Sequence, residues 1–291
     1  MKVTVSFDQA LDTAFKYQRR GLLQEAEAVL RKLVQVKPGH EVANDTLMLV
    51  LYRQDRFDEA MAMYHEAIRR GAYPCDPVYD ALYARALVAT QNCPSPLKRR
   101  VRFRNLVDWV SRTLDLDGCT AECGCYRGMS SHLILSRLRL HDPAFAGRGH
   151  HVFDSFQGLS APTVEDEVND DDPNADSIRL MSQPGSFRAS LAEVKQALAE
   201  FPGVEYHPGW IPLSFGGLPE RKYRLVHLDV DLYDPTLAAL EHFYPRLSRQ
   251  GVIVCDDYGW PGARKAIEEF CAEGGISFSA TEHQQAVLVR A

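Results

Sequence analysis

The spacing of apolar residues changes along this chain and divides it into two regions. Over residues 1–92, apolar and small residues recur at the spacing that is typical of amphipathic helices. Over residues 100–291, short apolar runs alternate with helical stretches, and this alternation predicts a mostly parallel sheet with helices on both faces. The Pro-containing, basic stretch of residues 92–100 is the predicted connection. We therefore predict an all-α region followed by an α/β domain.

The first region contains an internal repeat of 34 residues, which is the length of a tetratricopeptide unit. Residues 21–38 and 55–74 are the predicted second helices of two repeats, and residues 75–89 supply a further helix. Two repeats are few for a solenoid that stands alone, so we expect a structural role, with a docking or dimerisation surface as the functional alternative. The matching positions are Ala14, Tyr17, Gly21, Ala26, Leu30, Leu33 and Pro38 in the first copy, and Met48, Leu51, Asp55, Ala60, Tyr64 and Ala67 in the second.

Apolar runs in the second region are the predicted strands. The acidic stretch of residues 163–176 follows the second run, and we predict a mobile, solvated loop there. A lid over a bound substrate is the alternative, because α/β active sites lie at the carboxyl ends of the strands. A weaker run, residues 276–280, precedes the last strand and would form an antiparallel finish with it. The six stronger runs are residues 119–123, 150–156, 204–210, 224–230, 251–257 and 285–291.

Composition limits the classes of function. The net charge of −6 argues against a general nucleic-acid-binding protein, which needs a basic surface for phosphate. The N-terminus lacks the features of a secretory signal, and no apolar run reaches the ~20 residues that span a bilayer. Seven scattered cysteines are an odd number, so we expect reduced thiols and a cytoplasmic location. The spacing of Cys119, Cys123 and Cys125 fits neither a zinc nor an iron–sulfur motif, and we expect them to pack as small apolar residues.

A glycine loop between the first strand and the next helix indicates a cofactor. Glu122, Gly124 and Gly128 form the pattern E-x-G-x-x-x-G, in which glycines allow a sharp turn and the close approach of a ligand. This is not the dinucleotide spacing, and an acidic residue suits an amine-bearing or cationic ligand such as S-adenosylmethionine. Asp154 ends the next strand, where a carboxylate can accept both ribose hydroxyls.

Together these motifs favour a class I methyltransferase with a Rossmann-like sheet over a dehydrogenase. The simpler interpretations are a tight turn for the glycines and a helix cap for Asp154. The predicted cofactor-binding residues are Glu122, Gly124, Tyr126, Gly128, Ser130, Asp154 and Ser155.

Four aspartates end the fourth and fifth predicted strands, and parallel strands would bring them to one edge beside the glycine loop. On a strand, Asp229 and Asp231 point to the same face. Close carboxylates disfavour each other's ionisation unless a cation binds them, and oxygen ligands indicate magnesium or calcium. We expect His227 to pack in the strand, and Asp234, followed by Pro235, to cap the next helix. The four aspartates are Asp229, Asp231, Asp256 and Asp257.

Several motifs, in this order, resemble the macrocin O-methyltransferase family, which includes enzymes that methylate sugar hydroxyls of macrolide and aminocoumarin antibiotics. The stretches that carry the resemblance are ECGCYRGMSS, FDSFQGL, HLDVDLYDPTLAALEHFYPRLSRQGVIVCDDYG and PGARKAIEEF, within roughly residues 100–291. The resemblance implies magnesium-dependent transfer of a methyl group from S-adenosylmethionine to a hydroxyl. It implies that Asp229, Asp256 and Asp257 bind the metal and that Asp231 is the general base. Val230 departs from the family, because many of its antibiotic-sugar members have glycine there.

The resemblance implies that the acceptor is a hydroxyl of a sugar or glycosylated natural product, and a vicinal diol that chelates the metal through both oxygens would explain such a preference. A catechol or another phenol, which also chelates magnesium, is the alternative enzyme interpretation. A non-catalytic protein that interacts through its repeats is the alternative from another class. We expect no nucleic-acid or membrane partner, and we consider a homodimer and a partner or carrier docked on the repeats.

Overall fold

The computed structural model describes residues 6–73, 76–94, 97–171 and 175–291, and the chain splits into two compact units. The first unit is Met1–Val101 and the second is Arg102–Ala291, so the division falls inside helix α6, Leu97–Arg112. The connection is shorter than predicted, because α6 already begins at Leu97. Residues 95–96 of the predicted connection lie outside the described residues, as do residues 74–75 between two predicted helical segments.

Five helices precede α6 in the described part of the first unit, and they repeat in pairs. Helices α3 and α4 begin 34 residues after α1 and α2, respectively. Ala14, Ala26 and Ala60 lie at repeat positions and are fully buried, because small side chains allow paired helices to pack closely. The helical region is confirmed, whereas the tetratricopeptide assignment stays a prediction. The helices are α1 Phe7–Arg19, α2 Leu23–Val36, α3 Glu41–Tyr52, α4 Phe57–Arg69 and α5 Pro77–Thr90.

A mixed sheet of seven strands forms the centre of the second unit, in the order β3-β2-β1-β4-β5-β7-β6. Strands β1 to β5 are parallel, and β7 runs antiparallel to both of its neighbours. All seven predicted strands are present, including the weaker β6 and the antiparallel finish. The strands are β1 Cys119–Cys123, β2 His150–Asp154, β3 Glu205–Pro208, β4 Tyr223–Leu228, β5 Leu247–Cys255, β6 Phe278–Ala280 and β7 Ala286–Val289.

Helices cover both faces of the sheet, so its central strands are continuous apolar runs. Leu225 and Val252 pack against α6 and the helix after β1, whereas Val226 and Ile253 pack against the two helices that follow β4 and β5. Burial on both faces is what removes the polar alternation from these strands. The remaining helices are α7 Met129–His141, α8 Ala175–Met181, α9 Leu191–Ala197, α10 Tyr233–Phe243 and α11 Pro261–Gly274.

Strand β1 lies between β2 and β4, which is where the direction of strand order reverses. In open α/β sheets a crevice opens at such a point, outside the carboxyl ends of the strands. The segments that follow β1, β2, β4 and β5 therefore meet at one edge. Within the described residues, no helix is both long and apolar enough to cross a membrane.

Candidate active site

The loop after β1 turns sharply because three of its residues have a left-handed backbone. Gly124, Tyr126 and Gly128 have φ angles of 77°, 47° and 84°, and Gly128 is the N-cap of α7. A Cβ at Gly124 would collide with the carbonyl oxygen of Asp229, so only glycine fits between this loop and the segment after β4. The amide of Asp229 also donates to the carbonyl of Cys123 at 2.9 Å. The glycine loop and the acidic segment are thus in direct backbone contact.

Asp154 at the end of β2 joins that strand to the glycine loop. Its Oδ2 accepts from the Cys125 amide at 2.7 Å, and its Oδ1 accepts from the Phe156 amide at 2.6 Å. Burial raises the pKa of Asp154 in spite of these backbone hydrogen bonds. The side chain of Ser155 donates to the Gly158 carbonyl at 2.9 Å, which closes the turn after the strand. Asp154 therefore lies against the glycine loop, whereas the side-chain contact of Ser155 is within its own turn.

Glu122 belongs to a buried polar network instead of an open cavity. It has no exposed surface, His227 Nδ1 lies 2.9 Å from its Oε1, and the hydroxyl of Ser131 donates to its Oε2. Ser131 in turn lies 2.8 Å from His150 Nε2, and Ser130 is buried beside it in the first turn of α7. Burial would raise the pKa of Glu122, but hydrogen bonds from His227 and the two serines hold it below its ordinary value.

The four aspartates lie directly after their strands and not within them. Strand β4 ends at Leu228 and β5 ends at Cys255, so strand alternation does not orient Asp229 and Asp231 as predicted. Instead, Asp231 takes a left-handed backbone conformation with φ of 60°. One oxygen each of Asp229, Asp231 and Asp257 lie within 4.8 Å of one another, and oxygens of Asp229 and Asp256 form a second such group with a nitrogen of His227.

Several carboxylates lie close together on one side of this cluster. Burial and the neighbouring carboxylates of Asp229 and Asp256 raise the pKa of Asp231 to about 8. Burial and the charge of Asp231 also raise the pKa of Asp257 well above its ordinary value. The Asp231 amide donates to Asp257 Oδ2 at 3.0 Å, so the two residues are fixed relative to each other. Such a cluster is chemically suited to a hard cation with oxygen ligands.

Asp256 lies among three side-chain donors. Arg102 Nη1 lies 3.0 Å from its Oδ2, Gln285 Nε2 donates to its Oδ1 at 2.6 Å, and His227 Nε2 lies 3.8 Å from Oδ1. Burial would raise the pKa of Asp256, but Arg102, His227 and Gln285 together lower it. Burial would lower the pKa of His227, but the carboxylates of Asp256 and Glu122 raise it to about 10. His227 is fully buried in β4, which agrees with its predicted packing.

Most described residues of the acidic segment after β2 are exposed, as expected for a solvated loop, but part of the segment is held by contacts, which differs from the predicted mobility. Asp166 Oδ1 accepts from the Tyr233 amide at 2.7 Å, and Glu165 forms an ion pair with Lys265. A Cβ at Gly262 would collide with Asp166, so the segment lies against the start of α11. Residues 172–174 of the predicted loop lie outside the described residues.

Asp234 does not cap the following helix as predicted. The N-cap of α10 is Leu232, and Asp234 is an exposed residue in the first turn. Its charge still suits the positive end of the helix dipole. The carboxylate that accepts a hydrogen bond at this helix start comes instead from Asp166, as described above.

The cysteine cluster is a packing feature, as predicted. Cys123 and Cys125 are buried free thiols, and Cys119 is a partly buried one. Burial raises the pKa of both Cys123 and Cys125 well above the ordinary thiol value. None of the potential metal-binding groups among the described residues contains a cysteine.

Comparison with known sequences gives a consistent set of relatives. A profile of the family described as Macrocin-O-methyltransferase (TylF) matches residues 97–287. The chain is 32% identical over 183 residues to an 8-demethyl-8-(2,3-dimethoxy-alpha-L-rhamnosyl)-tetracenomycin-C 4'-O-methyltransferase of Streptomyces olivaceus, covering 60% of this chain and 67% of the relative. It is 30% identical to mycinamicin III 3''-O-methyltransferase of Micromonospora griseorubida, covering 60% of this chain and 70% of that protein.

Two solved structures with the same fold are named as an O-methyltransferase and a methyltransferase, respectively. The O-methyltransferase NovP matches 68% of this chain and 81% of its own with a TM-score of 0.55 and 24% identity. The calicheamicin methyltransferase CalS11 matches 75% of this chain and 94% of its own with a TM-score of 0.53 and 21% identity. At these identities, the two structures show the fold alone.

Proposed function

The chain belongs to the macrocin-O-methyltransferase family, and from this membership we propose that it methylates a hydroxyl of a sugar or glycosylated natural product. As a member it is an S-adenosylmethionine-dependent O-methyltransferase. The names of the relatives support the acceptor class, since one is named for a rhamnosyl tetracenomycin and the other for mycinamicin III. The observation that carries the proposal is the family match over residues 97–287, which includes all four clustered aspartates.

We propose that the cofactor lies along the loop formed by Gly124, Tyr126, Gly128 and Ser130, with Asp154 and Ser155 beside its ribose. When bound, the cofactor supplies an electrophilic methyl group. The fit is supported by the left-handed turn at Gly124, Tyr126 and Gly128, which leads from β1 into the start of α7, and by Asp154, which the Cys125 amide holds against this loop. Glu122 has no exposed surface, so its proposed contribution is to fix this loop through Ser131 and His227.

We further propose that Asp229, Asp256 and Asp257 hold a divalent cation, with magnesium as the expected ion. Asp229 supports this set, because its oxygens converge with Asp257 in one group and with Asp256 in the other. The raised pKa of Asp257 reflects burial and neighbouring negative charge that a cation would compensate. When bound, the cation lowers the pKa of an acceptor hydroxyl that contacts it. Asp231 then takes the hydroxyl proton as general base, and its amide bond to Asp257 keeps it in place.

A transfer assay with labelled cofactor separates the proposed function from its alternatives. Sugars and glycosylated metabolites should accept the methyl group, and EDTA should abolish transfer until magnesium is restored. Methylation of catechols without any sugar substrate would support the phenol alternative. Isothermal titration that detects no binding of S-adenosylmethionine to the folded protein would contradict the enzyme proposal itself.

Other properties of the whole protein remain proposals. A docking or dimerisation role for the repeats is supported by exposed apolar side chains on the first unit, among them Val36, Val78 and Val88. A cytoplasmic location rests on the odd, scattered set of cysteines. The oligomeric state can be measured directly by light scattering of the full chain.

A further inference from the structure

Each carboxylate oxygen of Asp256 lies within bonding distance of a side-chain donor. Gln285 Nε2 donates to Oδ1 at 2.6 Å, and Arg102 Nη1 lies 3.0 Å from Oδ2. His227 Nε2 also lies 3.8 Å from Oδ1, whereas a carboxylate oxygen has two lone pairs and can accept from more than one partner. The two donors therefore hold the plane of the Asp256 carboxylate and decide in which directions these lone pairs point.

The amide group of Gln285 is itself held in one orientation. Its Oε1 accepts from Asn105 Nδ2 at 2.9 Å, so its Nε2 faces Asp256 and the Arg102 carbonyl, 3.3 Å away. Gln285 has no exposed surface, which prevents water from replacing either partner. A reversed amide would place oxygen against the Asp256 carboxylate, and that contact would be repulsive.

The backbone on both sides of this chain of hydrogen bonds is also fixed. Arg102 and Asn105 are three residues apart on α6, so they lie on the same side of that helix. Gln285 precedes β7, and its amide donates to Thr281 Oγ1 at 3.1 Å while its carbonyl accepts from the Thr281 amide at 2.8 Å. Arg102 Nη1 also donates to the Asp256 carbonyl at 3.0 Å, which anchors the main chain of Asp256 as well as its side chain.

We infer that Gln285, oriented by Asn105, and Arg102 are positioning residues that hold Asp256 in the orientation required for cation binding. The inference rests on the proposed function, since it assumes that Asp256 is a metal ligand. Burial would lower the pKa of Arg102, but the negative charges of all four aspartates raise it. The hydrogen bond of Gln285 and the ion pair of Arg102 reach the Asp256 carboxylate. Their contribution is to the direction of one ligand, in the way that hydrogen bonds behind metal ligands generally act.

The test uses the purified full chain and Mn²⁺ as the probe, with binding followed by electron paramagnetic resonance in the absence of acceptor. Gln285→Met keeps the volume and removes the amide, and it should raise the dissociation constant for Mn²⁺ about 10–100-fold. The dissociation constant for S-adenosylmethionine, measured by isothermal titration, should stay unchanged. Gln196→Met makes the same chemical change on an exposed face of α9 and should leave both constants as in the wild type.

A second variant tests the inference without changing any residue that contacts Asp256. Asn105→Leu removes the donor that orients Gln285 and should weaken Mn²⁺ binding in the same direction. Because both changes act through one hydrogen-bonded chain, the double variant should lose less than the sum of the two single effects.

Each remaining outcome overturns the inference in a distinguishable way. Wild-type affinity for Mn²⁺ in Gln285→Met and Asn105→Leu would show that Asp256 needs no positioning, and the proposed metal site would survive. Equal losses of Mn²⁺ and cofactor binding in both variants would mean a general structural role. A wild-type protein that binds no Mn²⁺ would overturn the metal site and, with it, this inference.

Discussion

Asp231 combines an uncommon backbone conformation with a side chain in a cluster of carboxylates. Its φ of 60° is an uncommon conformation for a residue with a side chain, and such conformations persist where surrounding contacts enforce them. Here the enforcing contact is the hydrogen bond from its amide to Asp257. The result is a carboxylate that faces Asp229 and Asp257 although it lies outside the strand that would have given it a direction.

Asp231→Asn should preserve cofactor binding and remove turnover. Asparagine keeps the shape of aspartate and tolerates the left-handed backbone, but it accepts no proton, so kcat/KM should fall about 10²–10⁴-fold. Steady-state kinetics and titration of S-adenosylmethionine provide the two measurements. Asp234→Asn, three residues later on an exposed helix turn, is the matched control and should retain activity. Normal methylation by Asp231→Asn would exclude Asp231 as the base.

At the scale of elements, the glycine loop and the segment after β4 form one joined edge. Gly124 follows β1 and touches the backbone of Asp229, which follows β4, while neighbouring residues of these strands are paired in register. This contact sets the distance between the proposed cofactor loop and the proposed metal ligands. It depends on backbone atoms, so it is insensitive to most side-chain changes nearby.

Gly124→Ala should disrupt this edge by two effects that a control separates. Alanine at a positive φ costs about 1–2 kcal/mol, and its Cβ would also collide with the Asp229 carbonyl. Gly217 has a similar φ of 73° but no atom within 4 Å of an added Cβ, so Gly217→Ala should show the first effect alone. Chemical denaturation and cofactor titration should show a larger loss of both stability and affinity for Gly124→Ala than for Gly217→Ala. Equal losses would mean that the close contact is unimportant.

Secondary-structure elements could be predicted where the residues of the element itself carry the pattern. Continuous apolar runs predicted every strand, and the residues that follow β1, β2, β4 and β5 were identified from topology, since parallel strands share a carboxyl edge. The cap of α10 was predicted wrongly, because its carboxylate is Asp166 from a distant segment. Arg102 and Gln285 were missed for the same reason: nothing in their own neighbourhood indicates that they meet at Asp256.

At the scale of the molecule, the negative cluster makes stability depend on pH and on cations. The pKa of Asp231 rises from 3.8 to about 8 on folding, so its contribution is fully present below pH 3.8 and is lost as pH increases through 8. The pKa of His227 is raised from 6.5 to about 10, so its contribution to stability is also lost with increasing pH, but at a higher pH than that of Asp231. The lowered pKa of Asp256 has the opposite effect, but only in more acidic solution.

With EDTA present, the free energy of unfolding of the second unit should therefore decrease between pH 6 and pH 8.5. Magnesium at a concentration about 100 times its dissociation constant should add about 2.7 kcal/mol at the higher pH. Trp109, Trp210 and Trp260 are the only tryptophans of the chain and all belong to this unit, so their fluorescence follows its unfolding in urea. Asp231→Asn should flatten the pH dependence; an unchanged slope would assign it to other groups.

The hydrogen bond between Asp166 and the Tyr233 amide also connects parts of the chain that are 67 residues apart. The first backbone amides of a helix usually donate hydrogen bonds to the residue just before the helix, which protects them from exchange with solvent. Here the first amide of α10 depends on a segment that begins after β2. Its rate of hydrogen–deuterium exchange therefore records how often the acidic segment leaves the helix, so one backbone position reports the opening of a distant stretch of chain.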